Sequence, residues 1–268
     1  MQSSRVDISI IVVNYNTRDF LEECLTSLFS NLPACGFEVF VVDNHSRDGS
    51  RSMLQQCFPQ CTLITNRRNR GFARAANQAY QVSEGKYCLI MNPDLRVMPD
   101  SIQRLWEFME SNPDVGIVFP KLYNPDGSLQ HSCRTFHTIG SVFLRRTPLG
   151  KLFPNSRILR DHLMTDWDHN NVREVDWALG GCMMVRRKAV SAPQLFDERF
   201  FLYFEEVDLC YRMKKTPWRV IYNPEAAMIH HHLRESAGKG LNRQKIEVIK
   251  SWMKFKLKHF FDRHEGGQ

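Results

Sequence analysis

The chain has 268 residues, 43% of them hydrophobic, with 36 Lys+Arg against 29 Asp+Glu for a formal net charge of +7. That length suits one large α/β domain, alone or with an appendage, and no apolar run reaches membrane-spanning length. A pI near 9.0 points to anionic partners: phosphate-bearing small molecules, an anionic membrane surface or nucleic acid.

Eight cysteines include no C-x-x-C and no paired zinc-ligand spacing, and several sit in apolar runs where a thiol acts as a small hydrophobe. A reducing cytosol is the simplest expectation. The polar N-terminus is followed by an apolar run too short for a signal peptide.

Ile8 to Val13 is β-branched and apolar, predicting a buried parallel strand that ends at Asn14-Tyr15-Asn16. Phe20, Leu21, Cys24, Leu25, Leu28 and Phe29 then recur at helical spacing behind Asn16 or Thr17 as N-cap. A second strand, Phe37 to Val42, ends at Asp43-Asn44; a short helix through Met53 to Cys57 and a strand Thr62 to Thr65 follow. Asn69-Arg70-Gly71 precedes a helix carrying Phe72, Ala75, Ala76, Ala79 and Tyr80. Tyr87 to Met91 is a fourth strand that stops abruptly at Asn92-Pro93-Asp94, so Asp94 is expected to be displayed rather than packed. A helix from Pro99 and a strand Val115 to Phe119 complete an alternation that predicts a parallel, doubly wound sheet.

The alternation lapses after Pro120. Asn124-Pro125-Asp126-Gly127 is a turn signal, and Ser128 to Asn171 is loop-rich, basic and aromatic. Order returns at Val175 to Trp177 and Gly180 to Val185, with a helix expected from Arg187, a helix over Phe204 to Lys214, and short strands at Arg219 to Tyr222 and Ala226 to His232. Leu241 to His264 predicts a basic amphipathic helix with Ile246, Ile249, Trp252, Met253, Leu257, Phe260 and Phe261 on its apolar side.

In open parallel sheets ligands bind outside the carboxyl ends of the strands. Three such ends carry polar groups here, Asn14-Tyr15-Asn16, Asp43-Asn44 and Asn92-Pro93-Asp94. Singly these are ordinary turn residues; together they predict a cleft. The Asp43 carboxylate suits a flat base with N–H donors, and Asp94 suits a divalent metal shared with substrate phosphates. No G-x-G-x-x-G follows the first strand and no P-loop occurs, which excludes the common dinucleotide and ATP motifs. Asn69-Arg70-Gly71 brings a cation and a permissive backbone near a phosphate, or is a plain helix-start turn. Glu205-Glu206-Val207-Asp208 behind an aromatic run is either an acidic helix start favoured by the macrodipole or a general base in a desolvated pocket. His230-His231-His232 offers imidazole metal ligands.

These motifs, with Val42 to Ser50, Asn69 to Phe72, Gly180 to Met183 and Phe201 to Arg212, resemble family 2 inverting glycosyltransferases of GT-A fold, most closely the bacterial rhamnosyltransferase branch, over residues 7 to 236. The resemblance implies a nucleotide-binding half over 1–120, an acceptor-binding and catalytic half of the same domain over 121–236, and the basic helix over 237–268. It implies a nucleotide-sugar donor, dTDP-L-rhamnose or another, bound with Mg2+ or Mn2+ by Asn14, Asn16, Asp43, Asn44, Asn69, Arg70, Gly71, Asn92 and Arg234. Asn92 stands where the family's metal motif usually begins with Asp, leaving Asp94 as sole carboxylate there, so His230, or His232, enters as a further ligand. Glu206 falls at the family's base position, with Glu205 as alternative. Ser236 joins Arg234 over the diphosphate. Asp176, Trp177 and Gly181, with the Ser128 to Asn171 region, fall on the side of a saccharide or lipid-linked saccharide acceptor. The tail helix either lies on an anionic cytoplasmic membrane face or packs on the domain or on a second subunit as a homodimer. Nucleic acid is not an expected partner, since no recognised motif appears. A nucleotidyltransferase lacks its phosphate loop, and a catalytically dead sugar-binding module is disfavoured by the presence of Asp94, Glu205 and Glu206.

Overall fold

A computed structural model describes residues 6–138, 140–141, 144, 153, 156–231 and 243–259; His232, Arg234, Ser236, Phe260 and Phe261 lie outside them. In chain order the strands are β1 (Ile8–Asn14), β2 (Phe37–Asp43), β3 (Thr62–Thr65), β4 (Tyr87–Met91), β5 (Leu95–Val97), β6 (Val115–Tyr123), β7 (Cys133–Arg134), β8 (Arg173–Glu174), β9 (Trp177–Ala178), β10 (Cys182–Arg186) and β11 (Arg219–His230). The helices are α1 (Arg18–Phe29), α2 (Ser50–Cys57), α3 (Phe72–Val82), α4 (Ser101–Ser111), α5 (Arg157–Leu163), α6 (Glu205–Met213) and α7 (Arg243–Lys258). Among the described residues no helix is long and apolar enough to cross a membrane.

One sheet carries the molecule in the order β3-β2-β1-β4-β10-β6-β11-β5, with β8 beside β11. The pairs β1 with β2, β1 with β4, β2 with β3 and β6 with β11 are parallel, as the β/α alternation predicts. β10 runs antiparallel between β4 and β6. The chain leaves β1 towards β2 and β3, then returns to β4 on β1's other side. This makes the carboxyl ends of β1 and β4 the topological switch point, where ligands of such sheets bind.

Every residue of β1 and β4 is buried, because helices cover both sheet faces. Ile8, Ile10 and Val12 face a core shared with Leu21, Leu25, Ile102 and Leu105, while Ile11 and Val13 face Ala75, Ala76, Ala79 and Leu209. That alternation places α1 and α4 on one side and α3 and α6 on the other.

Three expectations need correction. In place of a helix from Arg187 there is a single 3-10 turn, Arg187–Ala189. The arginine is drawn inward: its guanidinium donates to the Gly85 and Tyr80 carbonyls at the end of α3, at 2.7 and 3.1 Å, and Pro193 follows closely. The two late strands are one, β11, with a register shift between Asn223 and Ala227 around Pro224, which cannot donate to the ladder. Ser128 to Asn171 also holds β7 and α5, too short to show a period.

Arg186, buried at the end of β10, donates to the carbonyls of Met109, Asn112 and Val115 at 2.6 to 2.9 Å and to the Tyr87 hydroxyl at 3.0 Å. It thereby satisfies the carbonyl end of α4 and complements its dipole. Arg186→Met should leave these acceptors without a donor, lowering stability by about 3 kcal/mol and the thermal midpoint by roughly 6–12 °C. Calorimetry is the check, and an unchanged midpoint would mean that water replaces the guanidinium.

Candidate active site

At the switch point a cleft of ≈ 210 Å³ opens between the ends of β1 and β4 and the aromatic loop before α6. Asn44, Asn69, Gly71, Asn92 and Asp94 line it, as do Tyr15, Phe72, Phe201 and Leu202. Gly71 is required there. Its φ is +83°, and a Cβ would come within 2.5 Å of the Phe201 carbonyl oxygen, which instead accepts the Phe72 N–H at 2.8 Å.

Asn14 and Asp43 are buried and do not line this surface, and Asn16 is exposed outside it. Asn14 donates to Ser46 Oγ at 3.0 Å, and Asn16 Oδ1 accepts the Arg47 N–H at 2.8 Å. Asp43 has no exposed surface; its oxygens accept from Arg51 Nε at 2.6 Å, Ser46 N at 3.2 Å and Asn14 Nδ2 at 3.4 Å. Asn44 pins the following loop by accepting the Arg70 N–H and donating to Asn69 Oδ1 and the Gly71 carbonyl.

Asp94 is less displayed than its strand-end position predicts, its side chain being 10% exposed. The chain reverses immediately into β5, which pairs antiparallel with β11 and sets Leu95 opposite His230. His230 Nε2 lies 3.4 Å from Asp94 Oδ1. Its Nδ1 is 2.7 Å from Gln130 Oε1, while the Gln130 amide nitrogen donates to Asn124 Oδ1 and the His230 carbonyl. With that amide orientation Oε1 can only accept, so Nδ1 carries a hydrogen and Nε2 is the ring nitrogen turned towards Asp94. Gln130 has no signal in the sequence, since it lies in an aperiodic stretch. Gly181 closes the arrangement: its carbonyl accepts the Asn92 N–H at 2.8 Å, and a Cβ there would come within 3.1 to 3.4 Å of the imidazole.

The neighbouring Gly180 faces Glu206, whose side chain lies 3.4 to 3.6 Å from where a glycine Cβ would stand. Glu205 and Glu206 open α6 after two consecutive left-handed residues, Tyr203 (φ 66°) and Phe204 (φ 72°), a costly backbone for bulky side chains. Both carboxyl groups are buried, and the Oε2 of each has no hydrogen-bond partner among the described residues. Burial pushes Glu206 from its ordinary 4.5 up to about 7, against the lowering effect of backbone N–H groups at the helix start. Burial first, and then repulsion from Glu206, raise Glu205 well above the usual carboxylate range. Two buried neighbouring carboxyls whose proton affinities are both raised, that of Glu206 to about 7, are suited to proton abstraction from a hydroxyl.

Asp176 and Trp177 are occupied elsewhere. Asp176 accepts from Lys214 Nζ at 2.6 Å and the Phe136 N–H at 2.8 Å; Trp177 donates to the Thr135 carbonyl, stacks on His137 and is 4% exposed.

The model of the family described as glycosyl transferase family 2 matches residues 9–191. The chain belongs to that family. This glycosyltransferase is 29% identical over 243 residues to N-acetylglucosaminyl-diphospho-decaprenol L-rhamnosyltransferase of Mycobacterium tuberculosis, covering 84% of this chain and 76% of the relative. It is 26% identical to rhamnosyltransferase WbbL of Escherichia coli over 236 residues, covering 84% of each. Its fold is similar to that of mannosyltransferase PcManGT of Pyrobaculum calidifontis, solved with GDP-Man and Mn2+ (TM-score 0.61, 19% identity, 99% of this chain and 66% of that one). It is similar too to S. aureus TarS 1-349 (TM-score 0.60, 16% identity, 96% and 74%). The GT-A architecture and the glycosyltransferase class implied by the motifs are thus established, in the company of bacterial rhamnosyltransferases.

Glu206 binds its proton more tightly folded than unfolded. The native state is therefore favoured most below pH 4.5, and that advantage is lost as pH rises through about 7. Glu206→Gln should remove this fall in thermal midpoint between pH 5 and 8 and abolish the acid limb of the activity profile. Glu205→Gln should leave a limb near pH 7; if Glu205→Gln removes it instead, Glu205 is the base.

One turn into α6, Asp208 has no exposed surface and accepts from His259 Nε2 (2.8 Å), Lys258 Nζ (2.7 Å to Oδ1) and Arg212 Nε (2.9 Å). Burial alone would raise its pKa; the bonds from His259 and Lys258 outweigh that and hold it below the ordinary range. Asp208 is a positioning residue, tying the turn that carries Glu205 and Glu206 to α7. Asp208→Asn should lower kcat about ten-fold or more with donor KM little changed, because small misplacement of a base is costly. A rise in donor KM alone would refute this role.

Proposed function

We propose that this glycosyltransferase moves L-rhamnose from dTDP-L-rhamnose, with inversion, onto a hydroxyl of a lipid-linked saccharide. The observation that carries the catalytic assignment is Glu206, a buried carboxyl with an idle oxygen and a pKa raised to about 7, set against Gly180 beside the Asp94–His230 pair. Donor and acceptor classes come from the rhamnosyltransferase relatives, one of them named for a diphospho-decaprenol acceptor.

The nucleoside end lies over Tyr15 and Asn44, with Asp43 behind them fixing Arg51 and the Ser46 turn. The donor diphosphate runs towards Asn92 and Asp94 past the Asn69-Arg70-Gly71 turn, where Gly71 lets the chain come close. A divalent cation fits Asp94 and His230: a buried carboxylate and an imidazole whose far nitrogen is already fixed by Gln130 make two donors of the right kind, and phosphate oxygens and water complete such a shell. When bound, such an ion supplies positive charge against the diphosphate as it departs. Gln130 holds the imidazole plane, and Gly181 leaves room for it.

On the other side, Glu206 takes the proton of the acceptor hydroxyl as that oxygen attacks the anomeric carbon opposite the leaving diphosphate. The C–O bond to the diphosphate breaks as the new glycosidic bond forms, and the configuration inverts. Burial and the neighbouring Glu206 favour the neutral form of Glu205. Phe201, Phe204 and their neighbours exclude water from the carboxyls, which limits hydrolysis of the donor.

With purified protein, Mg2+ or Mn2+ and a panel of nucleotide sugars, product formation should be greatest with dTDP-rhamnose and a diphospholipid-linked sugar. Glu206→Gln should lower transfer about 10³-fold while retaining donor binding by calorimetry. Asp94→Ala should weaken donor binding and abolish its dependence on the cation. Full activity in both variants would remove this site assignment, and preference for another nucleotide sugar would replace rhamnose.

A further inference from the structure

Helix α7 carries apolar residues on two sides, and among the described residues only one of the two is covered. Val248, Ser251, Phe255 and His259 face inward: Phe255 packs against Phe204 and Tyr211, Ser251 donates to the Leu202 carbonyl at 3.0 Å, and His259 reaches Asp208. The apolar stripe read from the sequence at 246, 249, 253 and 257 is the opposite side. Its members stand at the i, i+3, i+7, i+11 spacing of one helix face, 37% (Ile246), 44% (Ile249), 52% (Met253) and 72% (Leu257) exposed. Phe255 is turned into the domain, and Trp252 is half-buried.

The stripe is bordered by lysines. Lys250 and Lys254 are exposed on one flank, and Lys256 is half-buried on the other. Their amino groups reach Glu247, the Arg199 carbonyl and the His137 carbonyl. Glu247, bonded to Lys250, is the one carboxylate among the described side chains of α7. The inner face also fixes the stripe's direction, since Asp208, Leu202 and Arg199 hold the helix at several points along its length. What remains outward is a rigid apolar ridge with cationic borders on a chain of net charge +7.

We propose that the outer face of α7 docks on an anionic phospholipid surface, with Ile249, Met253 and Leu257 entering the acyl boundary and Lys250, Lys254 and Lys256 meeting phosphate headgroups. Such a surface accommodates both the ridge and its charge, whereas a second copy seated through the same face brings like-charged borders together. The inference is independent of the donor sugar. It deepens the proposed function by giving the enzyme a means of meeting a lipid-linked acceptor, and that clause alone rests on the acceptor reading.

Because removing α7 would also remove the partners of Asp208, the test uses point substitutions in the full chain. Flotation with phosphatidylcholine vesicles, with and without phosphatidylglycerol, should show binding only when the anionic lipid is present, weakening as salt is added. Met253→Ser with Leu257→Ser should reduce that binding about ten-fold or more, and Lys250→Gln about five-fold. Thermal midpoint and donor binding should stay unchanged, since these side chains are exposed. Flotation that is insensitive to the double substitution, or equal on pure phosphatidylcholine, would overturn the proposal. So would a dimer by light scattering that the double substitution converts to monomer without any vesicle binding. Loss of vesicle binding with transfer to a soluble acceptor intact leaves the catalytic reading standing, whereas intact flotation in a protein that transfers no sugar would separate the two in the other direction.

Discussion

The site depends on one strand that runs against its neighbours. β10 enters between β4 and β6 in the antiparallel sense, so it begins where β4 ends and sets Gly180 and Gly181 beside Asn92 and Asp94. A parallel strand in that slot would bring its far end here. Reversal also delivers Arg186 and Arg187 to the opposite edge, where they satisfy the carbonyl ends of α4 and α3. β10 and the residues flanking it thus join β4 to β6, satisfy the ends of two helices and set two glycines against His230 and Glu206. At Gly181 a methyl would press on the His230 imidazole at 3.1 to 3.4 Å, closer than ordinary contact, whereas at Gly180 it would meet Glu206 at ordinary contact distance.

The other constraint is that two carboxyls must stay out of water without being neutralised by a cation. Helix dipole and backbone N–H groups at the start of α6 favour ionisation, while burial opposes it for both carboxyls and repulsion from Glu206 opposes it further for Glu205. The balance leaves Glu206 able to change charge near neutrality. Holding such a pair requires an anchor further along the helix, and Asp208 supplies it: a fully ionised carboxylate with three basic partners, one turn from an idle pair. The left-handed Tyr203 and Phe204 show that the approach to α6 is dictated by tertiary contacts, chiefly Phe201 on Gly71 and Phe204 on Phe255, rather than by local preference.

Much of the first half was legible because its physics is local. Three apolar runs ending in Asn or Asp identify strands and the cleft at their ends, and helical spacing in α1, α3 and α4 identifies the covering layer. Asp94, Glu205 and Glu206 were legible for the same reason: each sits at the first polar break after a long apolar or aromatic run. Position at a strand end nevertheless misled about exposure. Asp94 is covered because three residues, β5, turn back onto a strand more than 130 positions later, and no pattern around Asp94 encodes that pairing. Gln130, which orients His230 across 100 positions, is invisible on the same grounds. Asp43, read as a ligand-facing carboxylate, has its oxygens engaged by Arg51, Ser46 and Asn14, three partners that only the loop's closure brings together.

The tail helix shows the limit of periodicity most plainly. A stripe of Ile246, Ile249, Met253 and Leu257 satisfies every rule for a core-facing side, yet a second set, Val248, Ser251, Phe255 and His259, faces the domain although half its members are polar. Hydrophobicity alone favours the first. What decides is the surface the helix meets: Asp208 is buried with Arg212 of α6 as one partner, and the His259 and Lys258 side of α7 brings it two more, so a buried carboxylate gains charge-assisted bonds while several aliphatic side chains are left exposed. Orientation of an amphipathic helix is therefore set by the most demanding buried group beneath it, and its apolar remainder is left outward.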